Sequence, residues 1–389
     1  MISSKKKVLF IGPIPPPFSG PELSMHEFLN SKLLNEVLNI DFIQTNFRKS
    51  NKSKGKFGFL MVLNFFMFFS RLIYQFLISK PDLVYYPVTP TQKGWLGRDV
   101  WTILLAKVFK SRVLIHLRGS HFRLNYANFN ALTRKLVHFS IKKVDGAIVQ
   151  ANYLKEEFSP FIDDSRIFIL YQSIDTGYFN LKSYQDVKPM SILCMGHLTK
   201  AKGYTDILKI IPDVAEVYSN VEFLFAGEMR RGERGVFYNQ FTKERIEYED
   251  PYLAEERLIK TAFRRNYKHL GLISDNVKLK YLQTADIFLS ASYSEGFSRS
   301  MLEAMSVGTP IVFTPVGAHR EVFDNAHGRV FLPGDTQGMA NAIISILKDE
   351  KRIMVGKHNR SYVKSRFDVV MICQEFLRIV NITLNEESN

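Results

Sequence analysis

Short apolar runs that end in turn residues recur along this chain, each followed by a stretch of helical length. In the first half they fall at residues 8–11, 82–86, 113–117, 146–150 and 167–171. Runs of four or five residues without polar alternation suit strands buried on both faces, and the lengths between them suit crossover helices. The segment 22–38 has helical spacing. Alternating strands and helices predict a parallel, doubly wound α/β sheet. The rhythm restarts at Ser191, with 192–195, 205–211, 221–226, 287–290 and 310–313. A chain of 389 residues is too long for one ordinary domain, so two such sheets in series are expected, with a cleft between them. Ligands in open parallel sheets bind beyond the carboxyl ends of the strands, so function belongs to the loops that follow them.

Composition narrows the class. Hydrophobic residues make up 46% and charged residues 23%, enough apolar material for two cores and too much for a disordered chain. The two cysteines, Cys194 and Cys373, each sit among apolar neighbours and read as small core residues in a reducing compartment. They offer no metal cluster. Lys5-Lys6-Lys7 precedes an apolar run that stops at Gly12, too short for a secretory signal, so a cytoplasmic location is expected. Net charge is 52 minus 38, or +14. Residues 1–180 hold 24 Lys+Arg against 12 Asp+Glu, so +12 of that excess lies in the first half. That half is expected to face a phosphate-bearing substrate, an acidic membrane surface or nucleic acid. Nucleic acid fits least, because the basic residues are scattered and form no reading module. No G-x-G-x-x-G follows the first strand of either half, which argues against a dehydrogenase.

Two stretches interrupt the rhythm. Residues 57–79 are very apolar but broken by Asn64, Arg71 and Gln75, and the unbroken runs are shorter than the roughly 20 residues a spanning helix needs. Arg48, Lys49, Lys52, Lys54 and Lys56 lie just before. Together they fit an interfacial anchor on anionic lipid, or equally a core helix behind a solvated basic loop. Residues 227–263 are polar and charged and read as a long insertion, touching substrate or simply solvated.

The most informative stretch is SASYSEGFSRSMLEAMSVGTPIVFT, residues 290–314. A strand opens into the loop Glu295-Gly296-Phe297-Ser298, and a helix starts near Arg299, Ser300 and Met301. Amides in a first helical turn lack internal partners and sit at the positive end of the dipole, so they can bind phosphate. Glu303 lies one turn inside, where a carboxylate can accept both hydroxyls of a ribose. Glu295 precedes the phosphates, where a transferred group would lie. The plainer alternative is a strand-loop-helix with a capping Ser298 and a solvated Glu.

The E-x7-E spacing from Glu295 to Glu303, within EGFSRSMLEAMSVGTPIV, closely resembles the donor-site signature of the retaining GT-B glycosyltransferases of family 4, the glycosyl transferases group 1 family. The resemblance runs over nearly the whole chain. GHLTKAKG (196–203) is similar to the family's G-R-L-x-x-x-K-G, QSIDTGYF (172–179) to N-G-V-D-x-x-x-F, and PPPFSG (15–20) to its first glycine-rich loop. It implies a GT-B fold of two Rossmann-like domains facing a central cleft. The first, 1–172, would bind the acceptor, and a linker would follow at 173–190. The second, 191–365, would bind a nucleotide sugar, and a final helix, 366–389, would cross back to the first domain.

The implied reaction transfers a sugar from a nucleotide-sugar donor to an acceptor hydroxyl with retention. The leaving diphosphate takes the acceptor proton, and neither a cofactor nor a metal is expected, the chain having no D-x-D triplet. By the same resemblance Lys202 binds the donor diphosphate, with His197 standing where the family has Arg and Arg299 as a further cation. The amides of Ser298, Arg299, Ser300 and Met301 hold phosphate, Glu303 the ribose and Glu295 the donor sugar. In the first domain Gly20 approaches the phosphate, and Pro21 replaces the second of a glycine pair. Arg118 aligns with the family's catalytic His, with His116 and His121 beside it. His116 alone reads equally as a satisfied strand-end residue. The expected acceptor is a lipid-linked saccharide at the inner face of a membrane, in cell-surface polysaccharide or glycolipid assembly. The alternative is a non-catalytic relative that binds a nucleotide sugar or a partner.

Overall fold

The computed structural model describes residues 5–16, 18–46, 59–181, 190–231 and 236–385, with 59–64 as backbone only. The basic cluster Arg48 to Lys56, residues 182–189 of the 173–190 linker and residues 232–235 of the 227–263 insertion lie outside the described residues. The chain divides into two compact units, Met1–Ser173 with Val369–Asn389, and Ile174–Asp368.

The first unit is built on a six-stranded sheet of β1 (Lys6–Gly12), β2 (Leu38–Gln44), β3 (Leu83–Val88), β4 (Arg112–Leu117), β5 (Gly146–Val149) and β6 (Ile167–Ile169), ordered β2-β1-β3-β4-β5-β6. The second unit repeats the plan with β7 (Ser191–Met195), β8 (Glu222–Ala226), β9 (Tyr267–Gly271), β10 (Ile287–Ser290), β11 (Ile311–Phe313) and β12 (Gly328–Val330), ordered β12-β11-β10-β7-β8-β9. Every neighbouring pair in both sheets is parallel. The fold is the α/β, doubly wound class the apolar runs imply.

Three strands carry no such run, and all three are sheet edges. β2 and β9 mix polar residues into the strand and β12 has three residues; an edge strand has one open side and does not demand a continuous apolar face. The segment 22–38, expected as one helix, is instead α1 (Gly20–Leu29) and α2 (Lys32–Val37), with Leu38 already in β2. The Asn30 side-chain amide donates to the His26 carbonyl at 2.8 Å, and Ser31 Oγ accepts from the Leu34 amide. Both residues favour helix ends for this reason. Residues 205–211 belong to the helix Tyr204–Val217, which buries Ile207, Ile210, Ile211 and Val214 at helical spacing rather than forming a strand.

The last helix, Val369–Asn385, belongs to the first unit. Its Ile372, Cys373, Phe376, Ile379 and Val380 are buried with Val8, Phe10, Tyr85 and Leu114 on one face of the first sheet. Phe376 lies 5.7 Å from Phe10 and 5.0 Å from both Phe28 and Tyr85, ring centre to ring centre. Another helix of this unit, α3 (Phe59–Ile78), buries a stripe of Phe68, Leu72 and Phe76 among its described side chains, the last stacked on Phe109. Phe66, Tyr74, Leu77 and Ile78 are 59–64% exposed, an apolar outer face unusual on a core helix. Among the described residues no helix is long and apolar enough to cross a membrane.

Phe376→Ala removes a fully buried ring shared by three aromatic neighbours. It is expected to cost roughly 3–5 kcal/mol, read as a lower urea midpoint for the first unit.

Candidate functional site

Strand order decides where the second unit can hold a ligand. The chain runs outward from β7 through β8 to β9, then returns to the other side of β7 for β10, β11 and β12. The loops after β7 and β10 therefore leave the sheet in opposite directions, and the crevice between them is the natural ligand site of such a sheet. They carry Lys202 and Glu295.

Glycines let these loops meet. Gly203 has φ +74°, and a Cβ there would lie 2.2 Å from the Ala291 carbonyl oxygen, so only glycine fits. The Tyr293 amide donates to the Ala201 carbonyl at 3.0 Å and sews the two loops together. Lys202 Nζ then reaches Glu295 Oε1 at 2.5 Å, and Ser292 Oγ donates to the same oxygen at 2.9 Å. Burial pushes the Glu295 carboxyl up, but Lys202, His319 and these hydrogen bonds outweigh it and hold it below the usual range. It is a carboxylate at neutral pH.

His319, the first residue of the short helix His319–Val322 beyond β11, escapes motif reasoning altogether. It is fully buried, and burial brings its pKa down to about 4 despite the nearby Glu295 charge. Its Nε2 accepts from the Ser298 amide at 3.2 Å, which puts the proton on Nδ1, facing the Thr314 carbonyl at 3.4 Å. The only signal in the sequence is its position, six residues past β11 at the carboxyl edge of the sheet.

Ser298 caps the helix Arg299–Ser306, its Oγ accepting from the Met301 amide at 3.4 Å and lying 3.2 Å from Ser300 Oγ. Two of the four amides expected to hold phosphate thus have partners of their own. Glu303, one turn further on, is 2% exposed. Its Oε1 accepts from Lys278 Nζ at 3.1 Å and from Arg299 Nε at 3.2 Å. Arg299 therefore serves Glu303 here. Lys278, on the preceding helix Asp275–Thr284, was not legible as a partner because 25 residues separate it from Glu303. His197 is half-buried in the loop after β7, two residues beyond that strand.

The remaining expected residues lie in the first unit. Gly20 opens α1, and Pro21 occupies its first turn, where a missing N–H costs no helical bond. At the end of β4, Arg118 Nη2 donates to the Tyr85 hydroxyl at 2.9 Å, and that hydroxyl lies 2.7 Å from His116 Nδ1. Burial and the adjacent Arg118 hold His116 well below its ordinary pKa, so it is neutral and accepts from Tyr85. His121 has φ +68° and a buried side chain; its amide and that of Arg123 both donate to the Glu157 carboxylate at 2.7 Å. Burial raises the Glu157 pKa against the pull of these amides.

Residues 182–362 match the family model described as glycosyl transferases group 1. The second unit is a member of that family. A 2-deoxystreptamine N-acetyl-D-glucosaminyltransferase of Niallia circulans is 26% identical over 241 residues, 60% of this chain and 56% of that protein. The chain thus spans about half the length of that relative. The N-acetylgalactosamine-N,N'-diacetylbacillosaminyl-diphospho-undecaprenol 4-alpha-N-acetylgalactosaminyltransferase of Campylobacter jejuni is 26% identical over 300 residues, 74% of this chain and 75% of that one. The crystal structure of Anabaena Alr3699/HepE in complex with UDP superposes with a TM-score of 0.69 at 18% identity, covering 97% of this chain and 100% of that one. At that identity the likeness is one of fold, and the fold is GT-B.

Neutral, buried His319 sets a pH dependence for the group 1 unit. Its unfolded counterpart titrates near 6.5 and the native residue near 4. Between these values the unfolded chain binds a proton that the native protein refuses. The stabilisation is full above pH 6.5 and is lost as pH falls toward 4, and Glu295, held low, adds in the same direction. A loss on the order of 3 kcal/mol is expected between pH 7 and 4. Urea midpoints measured against pH should show it in the wild type and a flatter profile in His319→Gln.

Proposed function

We propose that the chain is a glycosyltransferase that moves a sugar from a nucleotide-sugar donor to an acceptor hydroxyl with retention. The observation that carries this reading is the Lys202–Glu295 pair at the strand-order reversal, beside a capped helix that buries Glu303. Glu303 accepts the ribose hydroxyls while Lys278 and Arg299 hold the carboxyl group in place through Oε1. An ammonium has three donors, so Lys202 serves Glu295 and the donor diphosphate together. His197 and the amides at the start of helix Arg299–Ser306 add further donors to the phosphates. Glu295, an anion fixed by Lys202 and Ser292, faces the transferred sugar and orients it.

In the first unit we assign Arg118 to developing phosphate charge, with Tyr85 and neutral His116 fixing its guanidinium and the Glu157-held turn at His121 shaping the loop beyond. On retention, the leaving diphosphate oxygen takes the acceptor proton while the new glycosidic bond forms on the face the diphosphate leaves. No protein base is then needed. The work of the protein is orientation and electrostatic stabilisation of the departing phosphate, and we assign that charge to lysine, arginine and helix amides rather than to a divalent ion. Transfer unchanged by excess EDTA would support the assignment.

The acceptor we propose is a lipid-linked saccharide, met at an anionic membrane surface on its cytoplasmic side, in polysaccharide or glycolipid assembly. The exposed apolar face of α3 supports it, as does the helix Ala131–Ile141. No acidic residue occurs between Asp99 and Asp145. Within that stretch a cavity of about 760 Å³ is lined by Arg134, Lys135, His138, Phe139, Lys142 and Lys143, an arrangement suited to phosphate headgroups. The Campylobacter relative is named for a diphospho-undecaprenol acceptor, which is consistent with this reading.

Two measurements test the proposal. In a panel of UDP-, GDP-, ADP- and dTDP-sugars, one donor should bind and be slowly hydrolysed, with binding lost at least tenfold in Glu303→Ala; binding without turnover in the presence of acceptors would favour the non-catalytic relative. In vesicle flotation, the protein should rise with phosphatidylglycerol and not with phosphatidylcholine. Charge reversal at Arg134, Lys135, Lys142 and Lys143 should weaken that association by about 1 kcal/mol per residue or more. Equal flotation of variant and wild type would remove the membrane part.

A further inference from the structure

The polar insertion between β8 and β9 contains one residue that does not behave like its neighbours. Residues 237–246 form a small hairpin, with the Asn239 amide donating to the Glu244 carbonyl and the Ile246 amide to the Phe237 carbonyl, both at 2.9 Å. Its other side chains are half-buried or exposed, whereas Gln240 is 6% exposed. Gln240 turns inward and joins two loops of the donor site. Its Nε2 donates to the Glu295 carbonyl oxygen at 2.9 Å, and its Oε1 accepts from the Gly317 amide at 2.7 Å. Its own amide donates to the Tyr293 carbonyl at 3.1 Å.

These bonds fall where the two loops already touch. The Ala318 amide donates to the Gly296 carbonyl at 2.7 Å. Gly317 has φ +60°, and a Cβ there would lie 2.3 Å from the Gly296 carbonyl oxygen, so the backbones are as close as glycine allows. A primary amide supplies one donor and one acceptor at the same side-chain end, which is what a facing carbonyl and amide require. Shortening the side chain would leave a buried C=O and a buried N–H unsatisfied and release the loop that carries Glu295.

We propose that Gln240 is a positioning residue for sugar transfer, and that through it the insertion hairpin fixes Glu295 and His319 against the donor sugar. The proposal rests on the glycosyltransferase reading in assigning Glu295 to the sugar. It goes beyond that reading in giving the insertion a role in the reaction. Gln240 touches neither the nucleotide-binding carboxylate Glu303 nor Lys202, so its effect falls on the sugar end of the donor.

The test compares Gln240→Ala, Gln240→Met and Gln240→Glu with wild type on the donor identified by the panel. Misplacing a reacting group by about 1 Å costs up to roughly a hundredfold in rate. In Gln240→Ala and in Gln240→Met, which keeps the volume but neither bond, kcat for donor hydrolysis should fall at least tenfold. Affinity for the free nucleoside diphosphate should change less than twofold. Gln240→Glu should regain activity as pH falls, because only the protonated carboxyl can donate to the Glu295 carbonyl while accepting from Gly317.

A second readout does not depend on turnover. NMR titration of His319 should move from about 4 toward its ordinary 6.5 in Gln240→Ala, because a loosened loop admits water. Unchanged kcat and an unchanged His319 titration in the Ala and Met variants would overturn the proposal. If wild type hydrolysed no donor while His319 still shifted in Gln240→Ala, the clamp would stand and the glycosyltransferase reading would fall.

Discussion

The parallel sheet of the second unit reverses its strand order between β7 and β10, and the chemistry of that unit depends on this reversal. Two loops that leave neighbouring strands in opposite directions open a crevice between them; a backbone hydrogen bond from the Tyr293 amide to the Ala201 carbonyl ties them together, and side chains meet beside it. Lys202 comes from one side, Glu295 from the other, and His319 from the short helix beyond the adjacent strand. Close contact of these loops requires glycine at 203 and at 317, where any Cβ would strike a carbonyl oxygen. The glycines are thus part of the site although they offer it no chemistry.

Electrostatics in this unit follow from burial. Two carboxylates, Glu295 and Glu303, lie at the edge of a low-dielectric core, and each is matched by cations on a single oxygen. His319 takes the other course and stays neutral, giving its lone pair to the Ser298 amide and its proton to a carbonyl. A site built this way holds an anion, an ammonium and the start of a helix in fixed positions, the kind of preorganisation that the proposed transfer would use. In the first unit the chain Arg118–Tyr85–His116 does comparable work, holding a guanidinium by a phenol that is itself held by a neutral imidazole.

Much of this is legible in the sequence. Strands buried on both faces announce themselves as unbroken apolar runs, so nine of the twelve strands and the doubling of the sheet followed from periodicity. The three edge strands did not, because one open side relaxes the pattern. The capped helix with Glu303 one turn inside could be placed from EGFSRSMLEAMS, since capping and the 3.6-residue period act within a few residues.

What only the tertiary structure decided is every pairing across large separations in sequence. Lys278 with Glu303, His319 with Ser298, Gln240 with Glu295 and Gly317, and Tyr85 with Arg118 join residues between 21 and 77 positions apart. None of them leaves a periodic trace. Local sequence sets helix starts, strand cores and the residue types a loop offers, because those follow from backbone sterics and short-range hydrogen bonds. Which loops meet is set by strand order, and strand order is a property of the packed core as a whole. The sequence alone therefore determined the class of fold and the residues of the Glu295–Glu303 motif; the fold decided which of them touch and which are buried.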